Sequence, residues 1–242
     1  MDIKLDNVTG VVVAYNTKDL LERCLKSIRA FYPDLKIIIM DGSEQNNPCY
    51  KYVKNIEDKN IKPVSPGFNI GHGAGLDRGI KMAETDFVAA IDSDIIMKKK
   101  PIEEMLKLFE EDTFGVGEIQ YVNKRGINIS SGDKKAVLYL HPFFQIINKR
   151  IYGNFPPYVH HGAPCILTMI DIHKKKLSGR LLKDFPVREY IQHDWEGTRK
   201  LDPIEFKSGW VTYKSVSGYR AFFRRIKNRL KSIFKRGARI GG

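Results

Sequence analysis

Two acidic residues that follow an apolar run have the chemistry and the spacing of a cation site. Residues 87–91 predict a buried strand, and Asp92 and Asp94 come next at positions i and i+2, so both carboxylates can project to one side of the strand end. Mg²⁺ and Mn²⁺ are held by carboxylates, with substrate phosphates completing the shell. The pattern favours a metal–diphosphate site, and a turn closed by an Asx cap is the alternative.

The elements before this pair predict a parallel sheet that gathers polar residues at one edge. Residues 8–16 predict a buried strand, residues 18–31 a helix with Thr17 as its N-cap, and residues 36–40 a second strand that ends in Asp41. Strand, helix and strand at this spacing imply a right-handed parallel crossover. Ligands of open α/β sheets bind outside the carboxyl ends of the strands, so we expect Asp41 beside the acidic pair.

A glycine-rich segment, residues 66–80, leads into a helical pattern. Glycine lets a backbone approach a phosphate or a ribose closely, and Arg78 would add a positive charge. The segment is therefore a candidate ligand-binding element, with a plain loop as the alternative. The spacing is not that of the dinucleotide fingerprint; the glycines are Gly71, Gly73, Gly75 and Gly79.

Composition indicates one α/β domain, residues 1–218, followed by a basic tail, residues 219–242. The chain has 242 residues, of which 42% are hydrophobic, as in a globular protein. Its three cysteines form no CxxC pair, which argues against a disulfide framework or a zinc site and fits a reducing cytosol. The N-terminus lacks a signal-peptide pattern and no apolar run approaches a membrane span, so we expect any membrane contact to be peripheral.

The tail predicts a basic amphipathic helix. It holds nine of the basic residues of a chain with net charge +13, and no acid. Apolar residues recur in it at helical intervals, which suits an anionic membrane surface. A calmodulin-type or RNA-binding tail and a disordered basic end are the alternatives. The apolar positions are Phe222, Phe223, Ile226, Leu230, Ile233 and Phe234.

Four motifs in order resemble those of the family 2 glycosyltransferases, whose nucleotide-sugar-binding half has the GT-A fold. They are residues 11–16, Asp41-Gly42-Ser43, Asn69-Ile70-Gly71 and Asp92-Ser93-Asp94. The resemblance implies an α/β fold with a parallel-dominated central sheet flanked by helices. It departs from the family at Met40, where a second acid is common. The residue assigned to the base, Asp41, is retained.

The resemblance also implies roles for individual residues. Asp41 would accept a hydrogen bond from the base, Asp92 would lie near the ribose or the sugar, and Asp94 would coordinate Mn²⁺ or Mg²⁺. The other nucleotide-sugar-binding candidates are Ala14, Tyr15, Asn16, Asn69, Gly71, Arg78 and Ser93.

The second half of the chain has weaker patterns. Residues 114–122 predict a strand, residues 123–133 a loop, and residues 165–170 a buried strand. The aromatic stretch between them would face the acceptor by resemblance. Three residues of this stretch could bind an acceptor sugar: Tyr158, His160 and His161. The alternative for each of them is a structural role, either in core packing or as a hydrogen-bonded histidine of a loop.

Residues 188–199 resemble a histidine-containing segment of some family members, in which the histidine completes the metal shell. Imidazole suits Mn²⁺ better than Mg²⁺, so His193 as a ligand would favour manganese; a structural histidine is the alternative. An inverting transfer also needs a carboxylate that takes the acceptor proton. The candidates are Asp184, Glu189, Glu196 and, as the favoured one, Asp194.

Taken together, these features predict a metal-dependent inverting glycosyltransferase. It would move a sugar from a nucleotide-diphosphate sugar to an acceptor hydroxyl on a lipid-linked or cell-surface glycan. We expect a cytoplasmic protein held peripherally on the inner face of the cell membrane, without a nucleic-acid partner. The alternatives are a sugar nucleotidyltransferase, although residues 15–18 lack its phosphate loop, and a non-catalytic RNA- or membrane-binding protein.

Overall fold

The computed structural model describes residues 3–159 and 161–194, which form an α/β fold around a seven-stranded sheet. His160, Glu196 and the tail therefore lie outside the described residues. The strands are β1 (Val8–Ala14), β2 (Lys36–Asp41), β3 (Ile61–Val64), β4 (Phe87–Asp92), β5 (Ile95–Met97), β6 (Gly115–Val122), β7 (Val137–Asn148), β8 (Leu182–Asp184) and β9 (Ile191–His193). The helices are α1 (Lys18–Phe31), α2 (Pro48–Lys54), α3 (His72–Met82), α4 (Ile102–Leu106), α5 (Lys149–Tyr152), α6 (Ile166–Lys174) and α7 (Ser178–Leu181).

The sheet has the order β3-β2-β1-β4-β7-β6-β8, and its first half confirms the predicted parallel arrangement. β1 pairs in parallel with β2, where Ala14 stands opposite Asp41, and with β4, where Val13 stands opposite Asp92. The carboxyl ends of three strands therefore meet at one edge. β7 is antiparallel to both of its neighbours, and β6 pairs in parallel with β8. The predicted α/β class with a parallel-dominated sheet is confirmed.

Both faces of the sheet are buried, which explains why its strands have continuous apolar runs. Val12 and Ile91 pack on one face with helix α1, which has the bounds that the sequence predicts. Val11 and Ala90 pack on the other face with α3 and α6. The alternation of side chains along each strand thus supplies two cores, and helices cover both of them.

One expectation for the second half is wrong, and one long strand was not expected. Residues 166–170 belong to helix α6, with Cys165 at its N-cap, and not to a strand; a short, largely apolar run does not distinguish a buried helix from a buried strand. The twelve-residue strand β7 was not predicted, because Pro142 interrupts its pattern. The β6–β7 register shifts between Gly117 and Ile119, next to this proline, and an irregularity of this kind is where a strand tolerates proline.

The glycine segment also differs from its expected position. Gly73, Gly75 and Gly79 lie inside α3 and are buried. A Cβ at Gly79 would clash with Cγ1 of Val11, so this glycine allows the helix to approach β1 closely. Gly75 and Gly79 thus serve helix–sheet packing, while Gly71 precedes the helix with φ of 84°.

None of the helices within residues 3–159 and 161–194 combines the length and the apolar content that a membrane crossing requires.

Candidate metal and nucleotide site

The turn between β4 and β5 forms the centre of the site. Asp92 ends β4 and Asp94 precedes β5, which pairs with β9 so that Ile95 stands opposite His193. This pairing brings His193 to the acidic turn. Its Nε2 lies 3.1 Å from Oδ1 of Asp94 and 3.8 Å from Oδ2 of Asp92. The three side chains offer ligand atoms that all lie within 4.8 Å of one another.

This donor set fits a divalent cation. Two carboxylates and one imidazole suit Mn²⁺ and are less favourable for Mg²⁺, which prefers an all-oxygen shell. The three side chains are between 6% and 19% exposed, so they are ordered by the fold yet open to a small ligand. The structure thus brings together the three residues that the sequence analysis assigned to the metal and the sugar.

A column of stacked groups fixes the plane of His193. The ring of Phe143 lies parallel to the imidazole, with centroids 4.9 Å apart. Cζ of Arg188 lies 5.6 Å from the centre of the Phe143 ring, and its guanidinium donates to both carboxylate oxygens of Glu118 at 2.6 and 2.8 Å. Phe143 and Glu118 are not among the predicted site residues, because β7 was not predicted and Glu118 is not part of any recognisable motif.

A second histidine contacts the acidic pair from α3. Nε2 of His72 lies 3.1 Å from Oδ1 of Asp92. Burial raises the pKa of Asp92, but the facing imidazoles of His72 and His193 outweigh burial and bring that pKa below its usual value. Burial likewise lowers the pKa of His72, and the charge of Asp92 more than reverses this, so the pKa is raised. The signal available in the sequence was the position of His72 next to Gly71.

A third histidine lies on β7. His141 is half-buried and contacts Tyr139 and Phe143, with ring centroids 5.9 and 5.1 Å away. Burial lowers its pKa to about 4, against the attraction of Asp92, so this imidazole is neutral at physiological pH. His141 therefore adds no positive charge to the site.

The ends of β1 and β2 form a second polar group at the same edge. Asp41 is fully buried, and its Oδ1 accepts from the backbone N–H and the hydroxyl of Ser43 at 3.0 and 2.5 Å. Its Oδ2 accepts from the hydroxyl of Ser65 at 3.2 Å. The Ser43 hydroxyl in turn accepts from the N–H of Asn16 at 2.9 Å. The orientation of the Asp41 carboxylate is thus set by three hydrogen bonds.

Asn16 has an unusual conformation. Its φ of 55° is in the left-handed region, which is uncommon for a residue other than glycine. Its Oδ1 is buried and has no hydrogen-bond partner among residues 3–159 and 161–194. A buried acceptor without a donor is costly, and strained residues concentrate at functional sites. Tyr15 and Asn69 lie next to it, both in contact with the position of Gly42.

The other predicted ligand-binding residues lie nearby in varied settings. The amide oxygen of Asn69 accepts from the N–H of Gly71 at 2.8 Å. The hydroxyl of Ser93 is buried and lies 3.3 Å from the hydroxyl of Thr17. Thr17 is at the N-cap position of α1, as predicted, but its side chain makes no capping hydrogen bond. Arg78 is exposed on α3.

The described candidates for the catalytic base differ in their surroundings. Asp194 lies beside the metal cluster, since its N–H donates to the carbonyl of Asp94 at 3.0 Å, and its carboxylate lies 3.4 Å from Arg23. Asp184 is exposed and accepts from the N–H of Ile119 at 2.9 Å. Glu189 is exposed in the single turn Val187–Glu189.

Two of the residues considered for the acceptor side have structural contacts. Tyr158 is fully buried and packs edge-on against Tyr152, as core packing requires. The backbone of His161 is hydrogen-bonded to the imidazole of His72.

Comparison with known proteins identifies the family. The model of glycosyl transferase family 2 matches residues 9–171, which is well over half of the chain. The chain belongs to glycosyl transferase family 2. The resemblance found in its motifs is confirmed. The family match extends beyond β4 and includes β6, β7 and most of α6.

Curated relatives match the first part of the chain. The poly-beta-1,6-N-acetyl-D-glucosamine synthase of Staphylococcus aureus strain MSSA476 is 32% identical over 111 residues, which are 45% of this chain and 27% of that protein. The putative glycosyltransferase EpsH of Bacillus subtilis strain 168 is 34% identical over 110 residues, which are 44% of this chain and 31% of that protein. The chain thus spans less than a third of the length of these relatives.

Solved structures support the fold. The mannosyltransferase PcManGT from Pyrobaculum calidifontis, in complex with GDP-Man and Mn²⁺, aligns with a TM-score of 0.54 at 17% identity and covers 76% of this chain and 57% of that one. Residues 1–349 of S. aureus TarS, in complex with UDP-GlcNAc, align with a TM-score of 0.53 at 18% identity, over 76% and 57% of the two chains. Both are similar in fold to this protein.

Proposed function

We propose that this member of glycosyl transferase family 2 moves a sugar from a nucleotide-diphosphate sugar to an acceptor hydroxyl, with inversion at the anomeric carbon and with a divalent cation. The observation that carries the proposal is the convergence of Asp92, Asp94 and His193 within 4.8 Å at the sheet edge where β1 and β2 also end. Open α/β sheets bind their ligands at this edge. The role proposed for each residue follows from the contacts of its side chain.

Asp94 and His193 would hold the cation, with Oδ2 of Asp92 as a further oxygen ligand. An ion held there would supply positive charge that stabilises the diphosphate leaving group. The stacking of His193 on Phe143 keeps its imidazole plane fixed, so that little rearrangement is needed on binding. Because one of the donor atoms is an imidazole nitrogen, the set suits Mn²⁺ better than Mg²⁺.

Asp41 and Asn16 would hold the nucleoside. Asp41 accepts hydrogen bonds from both neighbouring serines, which fixes its carboxylate for an N–H of the base. Oδ1 of Asn16 lacks a donor among the described residues, and a ribose hydroxyl or a base N–H would supply one. Tyr15, at the contact with Gly42, offers an aromatic face beside them.

The relatives guide the choice of donor and acceptor. Their names include a synthase of an N-acetylglucosamine polymer, and the TarS structure contains UDP-GlcNAc. We therefore propose a UDP-linked sugar as donor and a glycan as acceptor. The basic amphipathic tail predicted at residues 219–242 favours a lipid-linked glycan at an anionic membrane surface. Asp194 is the preferred base for the acceptor proton, because it adjoins the metal cluster.

The test is incubation of the full chain with Mn²⁺ and, in separate reactions, UDP-GlcNAc, UDP-glucose and GDP-mannose. Slow release of free UDP or GDP and sugar in the absence of an acceptor supports the transferase. Asp94→Asn should remove both the release and the Mn²⁺-dependent binding of nucleotide. Asp19→Asn is the matched control, because Asp19 is an acid exposed at the start of α1.

Other products would contradict the proposal. Pyrophosphate formed from a sugar phosphate and a nucleoside triphosphate would indicate a nucleotidyltransferase. The absence of donor binding and of turnover with all three donors would indicate that the site does not serve a nucleotide sugar. Full activity of Asp94→Asn at ordinary Mn²⁺ concentrations would remove Asp94 from the metal site.

A further inference from the structure

His72 makes two contacts that no motif predicts. Its Nε2 lies 3.1 Å from Oδ1 of Asp92, and its imidazole is also hydrogen-bonded to the backbone of His161. The side chains of His72 and Asp92 are only 21% and 19% exposed, so this pair is shielded from most of the solvent. One side chain thus joins the acidic turn to the backbone at His161.

The local structure directs His72 to this place. Gly71 has φ of 84°, and its N–H is held by the amide oxygen of Asn69 at 2.8 Å, so the chain turns sharply before α3 begins. The helix then lies close to β1, because the glycines on its buried face carry no Cβ. His72 is the first residue of the helix and faces the end of β4.

The contact with His72 gives the two carboxylate oxygens of Asp92 different surroundings. Oδ1 is occupied by His72, whereas Oδ2 faces the imidazole of His193 at 3.8 Å. Because its Oδ1 is hydrogen-bonded to His72, the carboxylate of Asp92 cannot rotate freely. It therefore presents Oδ2 to a cation or a sugar hydroxyl. Groups that orient metal ligands in this way affect metal affinity strongly.

We propose that His72 is a positioning residue of the donor site: it holds Oδ1 of Asp92 so that Oδ2 is the oxygen that faces the cation and the sugar. This inference rests on the proposed function. His72 does not touch the reacting atoms and acts through Asp92.

Packing of the helix does not depend on His72. Leu76 and Ile80 are completely buried and anchor α3 in the core. His72 itself lies at the helix end, where a change of side chain leaves these contacts in place. We therefore expect a loss of His72 to affect ligand binding much more than the free energy of unfolding.

The experiment compares three variants of the full chain. H72L removes both hydrogen bonds, and H72Q retains an N–H donor at the position of Nε2. H173Q is the matched control, because His173 is exposed on α6. The affinity for Mn²⁺ is measured by electron paramagnetic resonance with and without UDP, and kcat and KM for UDP-GlcNAc hydrolysis are measured alongside. Urea unfolding checks that each variant is folded.

For H72L we expect Mn²⁺ affinity about 10- to 100-fold weaker, with most of it recovered in H72Q and no change in H173Q. A fall in kcat larger than the change in KM should accompany the loss, since the misplaced carboxylate affects the reacting geometry. Should H72L not fold, H72N takes its place, because its amide is one bond too short for Asp92.

Three results are distinguishable. Equal Mn²⁺ affinity in wild type and H72L would overturn the role of His72 while the proposed function stands. The same loss in H72Q as in H72L would also overturn it, because an N–H donor at that position would then be insufficient. Failure of the wild-type chain to bind Mn²⁺ with any of the nucleotides would instead overturn the proposed function, and the role of His72 with it.

Discussion

The rings of Phe143 and His193 lie parallel, with centroids 4.9 Å apart and planes inclined by 6°. They come from β7 and β9, which are far apart in the chain, and Cζ of Arg188 lies 5.6 Å from the centre of the Phe143 ring. The imidazole is therefore held by a flat apolar surface. A ligand whose plane is fixed in advance needs less ordering when an ion binds.

Phe143→Leu should weaken Mn²⁺ binding by about tenfold, because Leu fills the space without providing a flat surface for the imidazole. Phe144→Leu is the matched control, since Phe144 is equally buried in the same core and does not stack on His193. Both changes should lower the free energy of unfolding by about 1–3 kcal/mol. Isothermal titration with Mn²⁺ checks the first expectation; equal affinities of the two variants would contradict it.

Three carboxylate variants should distinguish the candidate bases. Asp194→Asn should lower kcat for transfer by about 10²- to 10⁴-fold while Mn²⁺-dependent nucleotide binding persists. Asp184→Asn should cost about 1 kcal/mol of stability through its weakened bond to Ile119 and leave kcat nearly unchanged. Glu189→Gln should alter neither kcat nor the free energy of unfolding. Steady-state kinetics with saturating donor and urea unfolding measure both quantities, and normal turnover by Asp194→Asn would exclude it as the base.

The half-buried imidazole of His141 should make the metal-free protein less stable in acid. Its pKa is about 4 in the folded protein, whereas an unfolded histidine titrates near 6.5. Between these values the unfolded chain binds more protons, so stability contributed by the neutral form is present above about pH 6.5 and is lost as pH falls towards 4. The raised pKa of His72 acts in the opposite sense, since its contribution is lost as pH rises through the folded pKa.

Comparison with His141→Phe isolates this contribution. The variant should lose less free energy of unfolding than the wild type between about pH 7 and about pH 5, since its ring does not titrate. Urea unfolding at both values, in the presence of a chelator, measures the difference. Parallel losses in the two proteins would show that His141 does not carry the acid sensitivity.

Gly79→Ala should destabilise the fold, because the added methyl group would clash with Cγ1 of Val11. Overpacking of this kind costs about 1–3 kcal/mol. Gly179→Ala provides the control: none of the atoms in the described part of the chain that could hinder it lies within 4 Å of its added methyl group, and alanine favours a helix, so the change should be neutral or stabilising. Urea unfolding of both variants checks the pair, and equal stabilities would contradict the packing role of Gly79.

The tail should attach the enzyme to anionic membranes by two separable contributions. Its nine positive charges should lose effect as salt rises, whereas its apolar positions should not. Deletion of residues 219–242 should release the protein from anionic vesicles and leave hydrolysis of soluble donor nearly unchanged. Co-sedimentation with anionic and neutral vesicles, with competing RNA, measures this. A full chain that ignores anionic vesicles, or prefers RNA, would contradict the membrane role.

The first half of the fold follows from local patterns. The apolar runs of β1, β2 and β4 are continuous because both faces are buried, and the helix between β1 and β2 has a regular apolar stripe. The parallel crossover connections then place the carboxyl ends of these strands at the same edge of the sheet. The proximity of Asp41 to Asp92 could therefore be deduced before any coordinates were known.

The contacts around the metal cluster could not be deduced in the same way. β7 contains Pro142 and joins the sheet antiparallel, so its pairing depends on partners distant in the chain. Phe143 and His72 are ordinary residue types whose roles arise only from what the tertiary fold places opposite them. The strand predicted for residues 165–170 is instead the start of helix α6, because five apolar residues around Thr168 are too short a run to show a period.

The antiparallel pair of β5 and β9 has a further consequence for how the cluster forms. Each strand has only three residues, and Asp94 and His193 are 99 residues apart in the chain. Short, peripheral pairs of this kind open locally at a free energy well below that of global unfolding. An ion bound by both residues would close this opening, so the free energy of docking β9 and the affinity for the ion are linked. Strand β9 thus becomes part of the ligand-binding equilibrium, and amide exchange at Ile191 would report occupancy of the site.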